Sequence, residues 1–176
     1  RQGNHVIASD YAITMLKVSQ KKFNHAKLVF VEADNVKLPF IKNAFDTVIS
    51  VHSIVPDKRI DVQKMFNEIY RVLKPNGKCI AFLPSFVSIV ETAAYFHIPA
   101  KLDKKQQRGY DSLHWQCFHT PETIKKNIQL AGFKKYQVKK VFLNTTNELK
   151  QLKRIYGADL SQKPPYTNFL IAVKYG

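Results

Sequence analysis

The sequence predicts an α/β protein whose core is a doubly wound, mostly parallel sheet. Strand-like runs alternate with segments of helical apolar spacing, and a final strand pair closes the chain. The run DTVISV at residues 46–51 is almost continuously β-branched, which is typical of a strand buried on both faces of a parallel sheet. The other strand-like runs lie at residues 6–9, 28–32, 79–83, 136–143 and 168–175.

The helices are predicted from apolar spacing and from residues that begin or end helices. A stripe at i, i+3, i+4 and i+7 is formed by Phe66, Ile69, Tyr70 and Leu73. Thr120 is a typical N-cap, Pro121 suits the first helical position, and Gly132 suits the stop of an amphipathic helix over 122–131. Between residues 84 and 120 the alternation lapses, and an aromatic-rich segment without clear period follows a charged one.

Composition limits the possible classes of protein. A chain of 176 residues with 45% hydrophobic content can bury one core. Cys79 and Cys117 lie far apart without CxxC spacing, which argues against a disulfide framework or a metal site. The apolar runs are shorter than the ~20 residues of a membrane helix. We expect a cytoplasmic protein that does not span a membrane, and the sequence does not indicate an oligomeric state.

The formal charge of +15 raises the question of a nucleic-acid partner. Lysine supplies most of this charge, in scattered pairs such as Lys104-Lys105 and Lys125-Lys126, and no arginine-rich block or RNA-binding aromatic motif occurs. A solvated, lysine-biased surface explains the pattern as well as nucleic-acid binding does. Nucleic acid is therefore possible but not favoured as a partner.

Three segments carry a resemblance to a known family. They are FVEADNVKLPF (residues 30–40), FDTVISVHSIVPD (45–57) and EIYRVLKPNGKCIAF (68–82). Together they resemble the class I S-adenosylmethionine-dependent methyltransferases, specifically the type 11 branch. The resemblance implies a Rossmann-like sheet, an antiparallel hairpin for the final strand pair, and S-adenosylmethionine as cofactor.

The chain departs from that family at its start, because no strand with a glycine-rich loop precedes Asp10. We therefore expect a single partial methyltransferase domain whose first strand is missing. Its predicted parts are a cofactor-binding half at 1–83, an acceptor-binding lid at 84–120, and a C-terminal helix and strand pair at 121–176. Without the glycine loop we expect weak or undetectable binding of the cofactor.

Two carboxylates follow predicted strands, at the edge where open α/β sheets bind ligands. Asp10 could bind ribose hydroxyls or only cap the next helix, and its position alone does not separate these roles. The resemblance favours the ribose role for Asp10, with Tyr11 beside it. It also implies that Asp34 accepts the adenine amino group and that Asn35 supplies a backbone donor, although Asp34-Asn35 is also an ordinary polar turn.

The central strand ends at Val51 and His52, where the family places residues beside the methionine portion of the cofactor. The family often has a histidine pair just before its Pro-Asp, and here Ser53 and Ile54 occupy those positions. A lone histidine at a strand end is more often structural than catalytic. We predict Val51 and His52 as cofactor contacts on the resemblance alone.

Methyl transfer from a sulfonium depends mainly on alignment, so no catalytic triad or metal is needed. A general base helps only when the acceptor must lose a proton, and the sequence identifies none. The aromatic segment would be the place to seek acceptor contacts. Its candidates are Tyr110, Asp111, His114 and His119. Ordinary packing is the simpler explanation for any one aromatic residue there.

Three functions remain open on this reasoning. The first is methyl transfer to a small-molecule or metabolic acceptor. The second is methylation of RNA by means of the basic surface. The third is a non-catalytic, methyltransferase-like module that binds a partner.

Overall fold

The computed structural model describes residues 3–110, 114–157 and 159–175. The strands are β1 (Val6–Asp10), β2 (Leu28–Glu32), β3 (Phe45–Val51), β4 (Leu73–Pro84), β5 (Leu102–Asp103), β6 (Arg108–Tyr110), β7 (Trp115–Cys117), β8 (Lys135–Phe142) and β9 (Tyr166–Val173). The helices are α1 (Ile13–Lys22), α2 (Arg59–Val72), α3 (Phe86–Tyr95), α4 (Pro121–Leu130) and α5 (Thr146–Tyr156). Every strand-like run in the sequence became a strand.

The chain divides into two compact units, Arg1–Phe40 and Ile41–Gly176. In the first unit, β1 and β2 pair in parallel and in register, from Val6 opposite Leu28 to Asp10 opposite Glu32. The helix α1 connects them, as in a βαβ crossover. This unit buries little, since Leu16 and Ala33 are its only buried apolar residues among those described.

The second unit contains a four-stranded sheet in the order β3-β4-β9-β8. The pairing of β3 with β4 is parallel, while β9 runs antiparallel to both β4 and β8. The predicted α/β class and the antiparallel C-terminal pair are confirmed. The sheet is mixed rather than mostly parallel, because two of its three pairings are antiparallel. Because β8 is parallel to β3 and β4, these three strands end at one edge, which we call the carboxyl edge.

The prediction that the run at 46–51 is buried on both faces is wrong. Among the described residues β3 pairs with β4 alone, so it is an edge strand of its sheet. Ile49 is 66% exposed and Val51 is 62% exposed. The β-branched sequence favours a strand. Burial depends on the neighbouring elements, and among the described residues β3 has a neighbouring strand along one of its two edges.

The core of the second unit lies between the sheet and its helices. The α2 stripe packs against β4 and α4, and Phe66, Val62 and Val72 have no exposed surface. The helix α4 begins at the predicted N-cap, where Thr120 and Thr123 form a capping box. Gly132 follows with a φ of +105°, and Tyr70 lies so close that a Cβ there would approach its ring to 3.0 Å. Glycine at this stop is therefore required by both backbone and space.

A buried lysine ties the end of α2 to the end of β9. Lys174 is 6% exposed, and its Nζ donates to the Tyr70 carbonyl (2.9 Å), the Leu73 carbonyl (2.7 Å) and Asn43 Oδ1 (2.9 Å). Three bonds satisfy all the donors of an ammonium group. Burial lowers the pKa of Lys174, while its position at a helix C-terminus favours the cation.

The sequence indicated no regular structure in much of the segment 84–120. Here β5, β6 and β7 form a small antiparallel sheet. No helix within the described ranges is long and apolar enough to cross a membrane. The division at residues 83 and 120 stays a prediction, since the compact units are divided after Phe40 instead.

Candidate functional site

Asp10 and Asp34 lie at the ends of the two parallel strands of the first unit. Asp10 is the last residue of β1 and Asp34 lies two residues beyond β2. The Asp10 carbonyl accepts a hydrogen bond from the Ala33 amide at 3.0 Å, which keeps the two strand ends together. Both acids are exposed. The structure therefore places these two predicted residues at the same edge of one small sheet.

Each of these carboxylates is held by its own loop in the same way. Oδ1 of Asp10 accepts from the Ala12 amide and Oδ1 of Asp34 accepts from the Val36 amide, both at 2.8 Å. These are Asx turns, in which an aspartate binds the amide two residues on. The second oxygen of each acid accepts no hydrogen bond from the described residues. A carboxylate fixed at one oxygen and open at the other fits a ligand that offers hydroxyl or amino donors.

The neighbours of these acids differ in exposure. Tyr11 is 77% exposed, directly after Asp10, and it precedes a helix whose N-cap residue, Ala12, makes no side-chain cap. Asn35 is half-buried in the turn after Asp34. Oδ1 of Asp10 accepts from the Ala12 amide just before α1, so this side chain holds the start of the helix. The contact uses one carboxylate oxygen and is therefore compatible with ligand binding by the other.

Val51 and His52 belong to the second unit and end β3 at the carboxyl edge. The backbone of His52 has a φ of 51°, in the left-handed region that few residues other than glycine adopt. Its amide donates to the Phe82 carbonyl at 2.9 Å, which holds this conformation against β4. Partial burial lowers the pKa of His52, so the neutral imidazole dominates at neutral pH. Strained residues are frequent at ligand sites.

The small sheet of β5–β7 is bound firmly to the loop that follows β3. The Arg59 guanidinium at the start of α2 donates to three carbonyls, those of Gln106, Gln107 and Phe118, at distances of 2.6 to 3.1 Å. The Cys117 amide donates to the Pro56 carbonyl at 2.9 Å. Arg59 was not singled out from the sequence, because one arginine among many lysines has no local signature. Its role arises from contacts distant in sequence.

Arg108 adds ion pairs to this attachment. Its Nη2 lies 3.0 Å from Asp103 Oδ2 and its Nη1 lies 3.5 Å from Asp57 Oδ1. The guanidinium also lies 5.0 Å from the centre of the Trp115 ring. Hydrogen bonds from the Gln106 backbone and from Arg108 lower the pKa of Asp103. Arg108 thus contacts β5, β7 and the loop between β3 and α2.

His119 is fully buried at the end of this segment. Because a carbonyl only accepts, the 2.7 Å contact with the Ile54 carbonyl means that Nε2 carries the proton and donates. Nδ1 is buried without a partner among the described residues. Burial lowers the pKa of His119 to about 4. A direct contact with an acceptor would require this segment to move, so the acceptor prediction for His119 stays a prediction.

The other acceptor candidates divide between exposed and undescribed positions. Tyr110 is 39% exposed and packs edge-on against Trp115, with 5.6 Å between ring centres. His114 is exposed, and its Nε2 lies 3.3 Å from the Gln116 amide nitrogen. Asp111 lies outside the described residues. Tyr110 therefore ends β6, and His114 directly precedes β7 of the same small sheet.

Two further properties bear on chemistry at the site. Within residues 3–110, 114–157 and 159–175, no group of three or more His, Cys, Asp or Glu side chains could hold a metal ion. Cys79 and Cys117 are free and buried, and burial raises the pKa of Cys79 to about 12. A thiol with so high a pKa is a poor nucleophile at neutral pH.

Residues 1–81 match the methyltransferase domain family, in its type 11 form. This match and the relatives below support a class I S-adenosylmethionine-dependent methyltransferase. Among curated relatives, the demethylmenaquinone methyltransferase of Staphylococcus carnosus is 33% identical over an alignment of 147 residues, and the match covers 76% of this chain and 59% of that protein. The sterol 24-C-methyltransferase of Pneumocystis carinii is 37% identical over 70 residues, 39% of this chain and 18% of that protein.

Solved structures show the same fold. The phosphoethanolamine N-methyltransferase 2 of Haemonchus contortus, in complex with phosphomonomethylethanolamine and S-adenosylhomocysteine, matches with a TM-score of 0.68 at 21% identity. The match covers 99% of this chain and 44% of that chain. For a methyltransferase of Mesorhizobium loti the TM-score is 0.67 at 15% identity, and the match covers 96% of this chain and 80% of that chain. The chain spans 59% of the Staphylococcus carnosus relative's length.

Proposed function

We propose that this methyltransferase transfers a methyl group from S-adenosylmethionine to a small-molecule acceptor. The observation that carries the proposal is the pair of exposed carboxylates, Asp10 and Asp34, at the ends of adjacent parallel strands with one oxygen each left open. The cofactor supplies a methyl group already activated on a sulfonium. What the protein must add is alignment of that group with the acceptor.

The residues divide this task by their chemistry. Asp10, with Tyr11 beside it, would accept hydrogen bonds from the ribose hydroxyls, and Asp34 would accept one from the adenine amino group while Asn35 offers its backbone amide. Bonds between a charged carboxylate and a neutral donor are stronger than neutral ones. Val51 and His52 would contact the methionine portion, in keeping with the left-handed backbone at His52.

We propose an apolar, ring-bearing acceptor. The support comes from the curated relatives, which are named as quinone and sterol methyltransferases. Tyr110 at the end of β6 and His114 just before β7 are the exposed candidates, and they would contact the acceptor. The attachment through Arg59 would keep the β5–β7 sheet in place. Asp111 is a further candidate on the same segment.

We also propose that a further strand with a glycine-rich loop, which residues 1–176 do not contain, completes the fold. The support is the position of β3, which pairs with β4 alone within residues 3–110, 114–157 and 159–175, and where Ile49 and Val51 are largely exposed. An unpaired apolar edge carries unsatisfied backbone groups and promotes aggregation. Calorimetric titration of residues 1–176 with S-adenosylhomocysteine tests this point, and micromolar affinity would show that the loop is not needed.

The carboxylates are tested in the full natural gene product, with S-adenosylhomocysteine as the titrant. We expect Asp10→Asn and Asp34→Asn each to weaken binding about tenfold to a hundredfold, the range for a lost charged hydrogen bond. Glu32→Gln is the matched control, because Glu32 is an exposed acid opposite Asp10 in register. Equal losses in all three variants would refute a specific role.

The acceptor class is tested by transfer of a radiolabelled methyl group. We expect product with a demethylated quinone and none with total RNA. Methyl transfer to RNA and not to the quinone would support the second candidate function, which is methylation of RNA. Tight S-adenosylhomocysteine binding without transfer to any acceptor would support the non-catalytic module instead.

A further inference from the structure

A band of aromatic and lysine side chains lies along the carboxyl edge of the four-stranded sheet. The strand β8 ends there at Phe142 and β9 begins there at Tyr166, its register partner. The helix α3 starts at the same edge, directly after β4, and Ser88 Oγ accepts from the Tyr166 amide at 2.7 Å. Three separate elements therefore present their side chains at one edge.

The band consists of two groups of contacts that the chain joins. The Tyr95 hydroxyl lies 3.4 Å from Gln162 Oε1, and Lys163 Nζ lies 5.3 Å from the centre of the Tyr95 ring. The segment from Gln162 then leads to Tyr166, whose ring lies 5.7 Å from Phe142 and 4.6 Å from Lys140 Nζ. We call this surface the edge band, and it consists of Tyr95, Lys140, Phe142, Lys163 and Tyr166.

The edge band combines exposed apolar side chains with one buried ring. Tyr95 is 50% exposed and Phe142 is 51% exposed, whereas Tyr166 is 8% exposed and packs edge-on against Phe142. Val87 on α3 and Val141, next to Phe142 on β8, are each 37% exposed. Glu91 is the one charged residue of α3. Contiguous apolar patches of this kind on soluble proteins mark contact sites.

The surrounding charge is strongly positive. From Lys134 to Lys163 the chain carries eight lysine and arginine residues and two acids, Glu148 and Asp159. Both acids are engaged locally, since Glu148 accepts from Thr145 and Asp159 accepts from the Ser161 amide. Lys150, Lys153 and Arg154 on α5 are exposed. Few negative charges near the edge band would therefore repel an anionic partner.

We propose that the edge band docks on an anionic lipid bilayer. Aromatic and aliphatic side chains can enter the region between headgroups and acyl chains while lysines bind the anionic headgroups, and lysine stems pack along apolar surface with the ammonium group in water. Bases of RNA stack on open ring faces, whereas here lysines lie over the Tyr95 and Tyr166 rings. The exposed side chains of Val87 on α3 and Val141 on β8 favour acyl chains as the partner.

Docking in this orientation has a consequence for the enzyme. The carboxyl edge, which includes the end of β3 at Val51, would face the bilayer, so a lipid-soluble acceptor could enter without crossing water. The docking itself requires no methyl transfer. Loss of vesicle binding and loss of the proposed activity are therefore separate outcomes.

The test is flotation of the full chain with vesicles of phosphatidylcholine and phosphatidylglycerol in equal parts, against vesicles of phosphatidylcholine alone. We expect binding to the anionic vesicles that weakens with added salt. Lys140→Gln with Lys163→Gln should weaken it at least about thirtyfold. The matched control is Lys125→Gln with Lys126→Gln, two exposed lysines on α4, which should leave it almost unchanged.

The apolar contribution of the edge band to vesicle binding is tested by Phe142→Ser, which should weaken this binding about tenfold. Its control is Leu130→Ser, because Leu130 is 65% exposed on α4. Both substituted residues are exposed, so circular dichroism should show unchanged folding. Equal losses from the two lysine pairs would overturn the edge band as the docking site. Stronger binding to RNA than to vesicles, reduced by the Lys140 and Lys163 changes, would also overturn the proposal.

Discussion

The two compact units of this chain differ in how their secondary structure is supported. In Arg1–Phe40, strands and helix form where the sequence predicts them, but the exposed apolar residues include Tyr11 at 77%, Val18 at 62% and Met15 at 57%. In Ile41–Gly176, α2, β4 and β9 enclose residues such as Phe66, Leu83 and Leu170 without any exposed surface. Local pattern is enough to predict an element, whereas burial determines how strongly it is held.

The largest test of this difference exchanges a phenylalanine for alanine in each unit. We expect Phe66→Ala to lower the free energy of unfolding by about 3–5 kcal/mol, because it leaves a cavity in a closed core. Phe23→Ala in the first unit should change it by less than about 1 kcal/mol, since Phe23 is 55% exposed. Urea denaturation followed by circular dichroism measures both. Similar losses would contradict the contrast between the units.

A second test uses the pH dependence of the second unit. Burial holds the pKa of His119 at about 4, below the ordinary value near 6.5. The unfolded chain therefore binds more protons between these values, and stability falls as pH drops from about 6.5 to about 4. This group alone accounts for a loss on the order of 3 kcal/mol.

The variant His119→Asn should remove most of that pH dependence, whatever its stability at neutral pH. Thermal unfolding at several pH values between about 4 and 7 provides the measurement. His114→Asn, an exposed histidine two residues before Gln116, is the control and should keep the wild-type slope. An unchanged slope in His119→Asn would mean that folding does not lower the pKa of His119.

The smallest test compares helix ends. Thr120 caps α4 in a capping box, and Thr120→Ala should lower the free energy of unfolding by about 1 kcal/mol. The N-cap of α1 is Ala12 and makes no side-chain cap, so Thr14→Ala in its first turn should leave stability unchanged within about 0.5 kcal/mol. Denaturant midpoints at constant slope measure these changes. An equal loss at Thr14 would show that α1 is packed as firmly as α4.

Much of the fold was predictable because its signals are local. The Thr120 cap, the Gly132 stop and the 28–32 strand all depend on residues within one turn or one strand. The ends of β1 and β2 could be predicted as well, and with them the positions of Asp10 and Asp34. For β3 the sequence predicted the strand but not its exposure, because exposure depends on the neighbouring strands.

The sequence by itself determined the order of the strands and helices outside the β5–β7 sheet, the family, and the two acids that follow adjacent strands. The tertiary structure decided which side chains hold distant segments together. Arg59 reaches carbonyls 47 to 59 residues away, His119 donates to Ile54, and Lys174 closes the end of α2. Such bonds join residues far apart in the chain, and no pattern of neighbouring residues specifies them. Their existence follows only from the requirement that buried polar groups find partners once the fold has formed.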